Sequence, residues 1–313
     1  MLKFISLVLF ELNLMSTLFD PFNPSKAFLS DSLPVLQPKA VAVYGAMPDG
    51  TIKTFSRGGS DLTGSIVAKA AKVDMYENWT DVSGFMIADP RIISNPKSIE
   101  AITYKELREL SYMGATVLHE DAIFPIRKEG IPINIRNTNA PDDKGTLIVE
   151  ATCRHPKYTI TGIAGKQGFA SITIEKAMMN SEVGFCRKVL QVFEDNGISI
   201  EHMPSGIDTM TVFVHQSEFE EKEQAVLAGI HQAVQPDSLE LESDLALIAI
   251  VGRGMRAKRG TSGRVFSALA HAHVNVKMID QGSSELNIVV GVRNHDFENA
   301  IRALYDIFVT TRL

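Results

Sequence analysis

Between residues 39 and 150, the hydrophobic and polar positions predict alternating strands and helices. Short β-rich runs are typical of strands, and apolar residues that recur every three or four positions are typical of a helix with one buried face. The predicted elements are strands over residues 39–44, 51–55 and 73–79, and a helix over residues 61–72 with Leu62, Ile66 and Ala70 on one face. Strand, loop, helix and strand in this order predict an α/β unit with a parallel sheet.

The same pattern continues with a second helix and two further strands. Thr103 followed by Glu106 has the spacing of an N-terminal capping box, which predicts where the helix begins. The predicted elements are a helix over residues 103–118, with Leu107, Leu110 and Val117 at helical spacing, and strands over 131–135 and 146–150 on either side of a polar turn.

The C-terminal half of the chain contains an internal repeat with a shift of about 76 residues. Equivalent positions include Ile172 and Ile248, Gly184 and Gly260, Val189 and Val265, Phe193 and Leu269, and Gly206 and Gly282. Each copy has the β-α-β-β-α-β order of a ferredoxin-like unit. Chance rarely aligns so many apolar positions, so the repeat predicts two domains, over residues 159–236 (copy one) and 243–313 (copy two).

Residues 1–40 are predicted to be a disordered leader outside the folded domains. Glu11 interrupts the apolar run of residues 1–19, and no clear small-residue cleavage site follows, which disfavours a secretory signal. The uninterrupted run is also far shorter than the roughly 20 residues that a membrane-spanning helix needs. Four prolines then disfavour a helix, namely Pro21, Pro24, Pro34 and Pro38. We expect no membrane partner.

Composition narrows the class of protein. The formal net charge of −6 argues against a general nucleic-acid binder. The only cysteines, Cys153 and Cys186, have neither metal-ligand spacing nor a disulfide pattern, so we expect a reducing, cytoplasmic location and no protein metal site. The apolar fraction of 45% is ordinary for a globular protein with more than one domain.

The loop over residues 56–64 predicts an anion site. Gly58 and Gly59 let the backbone approach a ligand closely, and successive N–H groups can then surround an anion. Arg57 adds a planar fork that suits a carboxylate or a phosphate. The helix that follows points its N-terminus at the same place. Arg57 and Asp81 both follow predicted strands, where ligands bind in such sheets.

These stretches, taken together, resemble the aspartate kinases of the amino-acid kinase family. The matching stretches are residues 44–45, 55–64, 76–91 and 109–119, and the two repeat copies resemble paired ACT domains, which bind amino-acid effectors. The resemblance implies a partial amino-acid kinase α/β/α sandwich over residues 41–150, followed by two ferredoxin-like (βαββαβ) ACT domains. The fold class is therefore α/β.

The resemblance also implies a reaction. ATP and L-aspartate give ADP and 4-phospho-L-aspartate, the first step of lysine, threonine and methionine biosynthesis, with Mg²⁺ accompanying the ATP. The implied substrate-side residues are Arg57, Gly58, Gly59 and Ser60, with Arg57, Ser60 and Asp61 as the catalytic set. Thr80 and Asp81 are implied to contact the nucleotide, and Arg91 its phosphate or ribose.

Lysine is the effector that the resemblance implies, bound in copy one. The implied residues lie in the loop before the first helix of that copy and around its following turn: Met178, Ser181, Gly184, Phe185, Glu201, Ser205 and Asp208. The corresponding loop of copy two carries four cations, namely Arg253, Arg256, Lys258 and Arg259, and we interpret it as a solvated basic loop or a dimer contact. We expect a homodimer built by pairing ACT domains.

One family motif is missing from the sequence. Aspartate kinases begin with a Lys-x-Gly-Gly-Thr stretch whose lysine and glycines hold the ATP phosphates, and this chain has none. We therefore expect residues 1–40 to replace about half of a kinase domain and the chain to be catalytically impaired. The alternative function is a non-catalytic ACT-domain sensor or regulatory subunit that binds an amino acid.

Overall fold

In the computed structural model of the chain, the described residues are 59–115, 120–151, 158–256 and 258–311, together with the backbone of three short strands before them. The chain divides into two compact units. Unit 1 comprises residues 1–162 and 251–254, and unit 2 comprises residues 163–250 and 255–313.

Unit 1 contains a five-stranded sheet in the order β1-β4-β6-β7-β5 and a separate antiparallel pair, β2 and β3. Its strands are β1 (Phe4–Val8), β2 (Tyr44–Ala46), β3 (Ile52–Thr54), β4 (Met75–Thr80), β5 (Ala101–Thr103), β6 (Ile133–Asn137) and β7 (Thr146–Val149). Its helices are α1 (Gly59–Ala70), α2 (Tyr104–Tyr112) and α3 (Glu120–Arg127). The α/β class is confirmed, with α1 leading into β4 as predicted. The strand predicted over residues 51–55 is not part of the parallel sheet, however, because β3 pairs only with β2, antiparallel, within the described residues.

The sheet of unit 1 is mixed rather than all parallel. Strands β1, β4 and β6 run parallel, although β1 lies in the part of the chain predicted to be disordered, and β7 runs antiparallel to β6. Only residues 138–145 join β6 to β7, and such a connection is too short for the crossover that a parallel pair requires. The carboxyl ends of β1, β4 and β6 still share one edge of the sheet.

The first residues of the chain differ from the predicted disordered leader. Phe4–Val8 forms strand β1 and pairs in parallel with Met75–Trp79 of β4. An almost uniformly apolar pentapeptide suits a parallel strand, because such strands are covered on both faces. The expectation of disorder is not met for these five residues.

The capping box predicted for the second helix is confirmed. Thr103 is the N-cap of α2, its side chain accepts a hydrogen bond from Glu106 N, and the Glu106 carboxylate accepts one from Thr103 N at 2.9 Å. Helix α2 ends at Tyr112, earlier than predicted, because Gly114 follows with φ of 105°, a conformation that ends helices.

Unit 2 contains the repeat as one six-stranded sheet in the order β12-β13-β11-β8-β10-β9. Its strands are β8 (Gly162–Glu175), β9 (Ile200–His202), β10 (Thr209–His215), β11 (Ser238–Val251), β12 (Met278–Asp280) and β13 (Asn287–Arg293). Its helices are α4 (Phe185–Asp195), α5 (Gln216–Phe219), α6 (Glu223–Val234), α7 (Thr261–His271) and α8 (Phe297–Tyr305).

The two copies share the 14-residue strands β8 and β11. Strand β10 of copy one pairs with β9 on one side and, on the other, with Phe169–Glu175, the second half of β8. A Cβ added at Gly165, in the first half of β8, would meet Phe297 of α8 and the carbonyl of Leu247, both in copy two. Leu239, near the start of β11, packs against the core of copy one. Each copy therefore uses part of both long strands, and its half of the sheet includes a segment of chain from the other copy.

Candidate functional site

The predicted anion loop lies at the start of α1. Arg57 and Gly58 lie outside the described residues, whereas Gly59, Ser60 and Asp61 form the first turn of α1 and are half-buried. The structure thus places Gly59 and Ser60 in the helix rather than in the loop before it. A carboxylate in the first turn is favourable, because the free N–H groups there carry partial positive charge.

Asp61 is held from the adjacent strand. Asn78 of β4 is buried, and its Nδ2 donates to Asp61 Oδ1 at 3.0 Å and to Tyr76 Oη at 3.3 Å. Burial, and then the charge of Asp61, raise the pKa of Tyr76 far above its ordinary value, so the phenol stays neutral. Gly64 is required where α1 passes the ring, because an added Cβ would collide with Tyr76 Oη.

Thr80 and Asp81 lie at the carboxyl end of β4. Thr80 O accepts hydrogen bonds from Thr138 N at 2.8 Å and Thr138 Oγ1 at 3.0 Å, which fixes the strand end. Thr80 Oγ1 donates to Asp81 Oδ1 at 3.1 Å, and Asp81 is exposed. Asn78 binds Asp61 two residues before Thr80, so the structure brings the predicted substrate-side carboxylate and nucleotide-side pair to one edge.

The Arg91 guanidinium is paired with the neighbouring Asp89 carboxylate. Its Nε and Nη2 donate to Asp89 Oδ2 at 3.0 and 2.6 Å, and its side chain is 85% exposed. These hydrogen bonds from Arg91 hold the pKa of Asp89 below its ordinary value. The guanidinium fork predicted to contact the nucleotide is therefore occupied by a carboxylate two residues away.

A cluster at the same edge was missed by sequence reasoning. The Arg136 guanidinium of β6 lies 4.9 Å from the centre of the Trp79 ring and 3.5 Å from Glu77 Oε1. Trp79 Nε1 donates to Glu77 Oε2 at 3.2 Å. Glu77 and Trp79 are two residues apart on β4 and so share one face of the strand, but nothing in the sequence indicates that Arg136 lies beside them. The cluster fixes the last residues of β4 before Thr80.

Glu106 is a second buried carboxylate that the sequence marked only as a helix cap. It is 0% exposed and accepts five hydrogen bonds, from Thr103 N, Thr103 Oγ1, Thr161 Oγ1, Arg253 N and Arg253 Nη1. Burial alone would raise its pKa, but these hydrogen bonds outweigh burial and lower it. Arg253, predicted to lie in a solvated basic loop, instead pairs with this buried group.

In copy one, the loop before α4 is joined to the turn before β10. Met178, at φ of 60°, is 71% exposed, and its N–H donates to Asp208 Oδ1 at 2.9 Å. Asn180 N also donates to Ile207 O at 3.1 Å. Ser181 and Ser205 are exposed on the same two segments. The structure therefore places four of the predicted effector residues, Met178, Ser181, Ser205 and Asp208, on two segments that are hydrogen-bonded to each other.

Three further predicted effector residues have structural contacts or a backbone role within copy one. Phe185 is buried in the core of copy one and serves packing, since only 2% of it is exposed. Glu201 Oε1 lies 3.2 Å from His215 Nε2, and the Glu201 side chain is 4% exposed. Gly184 is the N-cap of α4 at φ of 84°, so its role is conformational. The effector contacts predicted for Phe185, Glu201 and Gly184 stay predictions.

Sequence reasoning missed the carboxylate at the centre of this loop. Glu182 accepts hydrogen bonds from Lys176 Nζ and Lys188 Nζ, both at 2.6 Å. These two hydrogen bonds lower the pKa of Glu182, that from Lys176 first. The spacing of six residues on each side carried no recognisable signal. Glu182 shows that this loop already stabilises ammonium groups beside a carboxylate.

Neither a metal cage nor a membrane segment is found within the described part of the chain. In the ranges given above, no cluster of three or more His, Cys, Asp or Glu side chains is placed to hold a metal ion. No described helix is both long and apolar enough to cross a membrane.

Comparisons with known proteins match both parts of the chain. The profile of the amino acid kinase family matches residues 23–137, and that of the ACT domain matches residues 248–308. Aspartokinase 3 of Bacillus subtilis (strain 168) is 43% identical over 266 residues, which are 85% of this chain and 58% of that protein.

Solved structures of two proteins extend the comparison. Clostridium acetobutylicum aspartate kinase, described as an allosteric enzyme, is 55% identical, with a TM-score of 0.80 over 85% of this chain and 61% of that chain. E. coli aspartokinase III in complex with lysine and aspartate is 26% identical, with a TM-score of 0.67 over 85% of this chain and 59% of that chain. The same E. coli protein has been solved with aspartate and ADP, at 25% identity and a TM-score of 0.67. The chain spans about three fifths of the length of these relatives.

Proposed function

Because the chain belongs to the aspartate kinase family, we propose that it transfers the γ-phosphoryl group of ATP to the side-chain carboxylate of L-aspartate, giving ADP and 4-phospho-L-aspartate. The observation that carries the proposal is the edge of the sheet at which β4 ends, where Asp61 and the pair Thr80 and Asp81 lie together. A relative solved with aspartate and ADP supports the choice of substrates.

The chemistry needs positioning and charge more than a base. The attacking aspartate carboxylate is already an anion, and the obstacle is its repulsion by the triphosphate. In the proposed arrangement, Arg57 and Ser60 hold a carboxylate of the substrate, with Gly58 and Gly59 leaving their N–H groups accessible. Asp61 orients the reacting groups from the first turn of α1, and Thr80 and Asp81 contact the nucleotide. Orientation and preorganised donors supply the acceleration.

Mg²⁺ would accompany the ATP in this proposal. This ion is usually held by substrate phosphates, water and one or two carboxylates rather than by a protein cage. The described residues fit that pattern, because they offer Asp61 and the exposed Asp81 at the site but no cluster of three ligands. Bound there, Mg²⁺ would offset phosphate charge. Arg91 would reach a phosphate only by leaving Asp89.

Lysine is the proposed effector, bound in copy one. Met178, Ser181, Ser205 and Asp208 line the joined loop and turn, and Glu182 shows that the loop stabilises ammonium groups. A relative solved with lysine supports the choice of ligand. We further propose that two chains pair through their ACT domains and that the protein is cytoplasmic, as the sequence predicts.

The proposal is tested by an assay of ADP release with purified chain, L-aspartate and Mg-ATP. We expect aspartate-dependent turnover well below that of a full-length aspartate kinase, because this sequence has no Lys-x-Gly-Gly-Thr stretch to hold the ATP phosphates. Asp61→Asn should lower that turnover by about a further 100-fold or more, the loss that follows removal of a positioned charged group from such a site. Asp142→Asn, an exposed acid on the turn between β6 and β7, is the matched control and should keep full activity.

A chain that binds lysine by calorimetry but shows no turnover would support the alternative, an amino-acid sensor. Ser205→Ala should weaken lysine binding in either case. If lysine, threonine and methionine all give no heat of binding, the effector proposal is overturned. The proposed phosphoryl transfer is not affected by that result.

A further inference from the structure

We infer that Asn78 is a positioning residue for catalysis, which holds the Asp61 carboxylate in its reactive orientation by donating a hydrogen bond from β4. Nothing in the sequence pattern marked Asn78, which lies in a strand predicted to be buried. The inference rests on the proposed function, because the orientation of Asp61 matters to turnover only if Asp61 takes part in the reaction.

The geometry uses both hydrogens of the Asn78 amide. Nδ2 lies 3.0 Å from Asp61 Oδ1 and 3.3 Å from Tyr76 Oη, and Asn78 is 5% exposed. Asp61 thus accepts a hydrogen bond from a group that is itself fixed on a strand and tied to a second buried side chain. A side chain held in this way loses little freedom when substrate binds, which is what positioning requires.

The chemistry of the three side chains requires an amide at position 78. An ionised carboxylate can only accept hydrogen bonds, so its partner must be a donor. Tyr76 stays neutral, so its oxygen can accept the other amide hydrogen without adding charge beside Asp61. A buried apolar residue would leave Asp61 without this donor, and an acid would place two like charges together.

A purely structural role is the competing explanation, because a buried polar group needs a partner wherever it lies. Three observations favour positioning. Asn78 lies two residues before the predicted nucleotide contact Thr80, and Asp61 belongs to the predicted catalytic set. Gly64 keeps α1 close enough to β4 for the contact, since any Cβ there would meet Tyr76 Oη. The polar contact is therefore built into the edge of the sheet where the proposed reaction occurs.

The first test compares Asn78→Leu and Asn78→Asp with wild type over a range of pH. We expect Asn78→Leu to lower kcat by about 10- to 100-fold, the size of effect that loss of orientation produces, with KM for ATP changed less than about threefold. In Asn78→Asp, the added carboxylate should raise the apparent pKa of the acidic limb of the kcat profile by about one unit or more. A structural residue would change the melting temperature and leave both readouts unmoved.

Two variants serve as controls. Tyr104→Phe removes another buried hydroxyl of unit 1, which donates to Ile131 O at 2.9 Å and not to the Asn78 network, so it should change kcat by less than about threefold. Asn139→Asp adds the same charge at an exposed position after β6 and should leave the acidic limb in place. An acidic limb that moves equally in Asn139→Asp would overturn the inference.

A second measurement does not depend on turnover. The Asp61 carboxyl carbon, labelled with ¹³C and identified by its loss in Asp61→Asn, can be titrated by NMR. We expect Asn78→Leu to raise the pKa of Asp61 by about half a unit or more, because a donated hydrogen bond favours the charged form. An unchanged pKa contradicts the inference whether or not the chain turns over. If Asp61→Asn keeps full activity, the proposed catalytic role of Asp61 is wrong. If Asp61→Asn loses activity but the Asn78 variants do not, only the inference about Asn78 is overturned.

Discussion

Copy one and copy two of the repeat have the same backbone geometry at their helix starts but carry opposite charges at one equivalent position in the loops before them. Helices α4 and α7 begin at Phe185 and Thr261, 76 residues apart, and both follow a glycine N-cap, at φ of 84° in Gly184 and 81° in Gly260. In the loops, Glu182 of copy one corresponds to Lys258 of copy two.

This comparison separates the positions that the fold requires in both copies from those that are free to differ and can determine which ligand binds. The glycine caps and the buried helix residues recur because packing and backbone geometry require them. Positions 182 and 258 can diverge because neither side chain is buried, whereas other loop residues keep structural roles, such as the pairing of Arg253 with Glu106. Effector specificity should therefore depend on the loops, and stability should depend equally on both copies.

The largest expected effect comes from emptying the equivalent core positions Phe193 and Leu269, which are 0% and 1% exposed. We expect Phe193→Ala to cost about 3–5 kcal/mol and Leu269→Ala about 2–5 kcal/mol, from lost burial and the cavity left behind. Because the copies share β8 and β11, both variants should unfold the whole of unit 2 in one transition.

Urea unfolding followed by far-UV circular dichroism measures this prediction. The single tryptophan, Trp79, lies in unit 1, so its fluorescence reports that unit separately. Leu190→Ala, on the same helix as Phe193 but 36% exposed, is the control and should cost much less. Two separate transitions in unit 2 would show that strand sharing does not couple the copies.

The second effect concerns the charge difference between the loops. Glu182→Lys places a third cation beside Lys176 and Lys188, so we expect lysine to bind about 100-fold more weakly, because like charges at a binding site cost several kcal/mol. The reverse change in copy two, Lys258→Glu, should leave lysine affinity nearly unchanged. Calorimetry with both variants is the measurement, and equal losses in the two would refute the assignment of lysine to copy one.

Replacing the glycine N-cap of α4 or of α7 by alanine should lower stability by the same amount. Gly184→Ala and Gly260→Ala meet no atom within 4 Å of the added Cβ, so only the left-handed backbone opposes them, by about 1–2 kcal/mol each. Gly263, inside α7, also has open space but no positive φ, and Gly263→Ala should stabilise by about 0.5–1 kcal/mol. Melting temperatures of the three variants test this, and a destabilising Gly263→Ala would contradict it.

The sequence predicted the repeat well because caps and buried helix positions are local signals that recur at one period. It could not predict that β8 and β11 are shared, since an alternating pattern identifies a buried face but not the strand beside it. The same limit applies to the site. The capping box of Thr103 and Glu106 was predicted from a spacing of three, whereas the pairing of Glu106 with Arg253, 147 residues away, has no local signal.

The smallest expected effect is a pH dependence that belongs to copy one alone. Hydrogen bonds from Lys176 and then Lys188 lower the pKa of Glu182, so the carboxylate stabilises the fold above the ordinary glutamate pKa, about 4.3. This stabilisation is lost as the pH falls through the lowered pKa of the folded state. The melting temperature of wild type should exceed that of Glu182→Gln near pH 6, by an amount that shrinks towards pH 3. Because Lys258 occupies the equivalent position in copy two, the difference in melting temperature between wild type and Lys258→Gln should not shrink in this way. If wild type still melts at a higher temperature than Glu182→Gln at pH 3, by as much as near pH 6, the ionised Glu182 carboxylate is not the source of the difference.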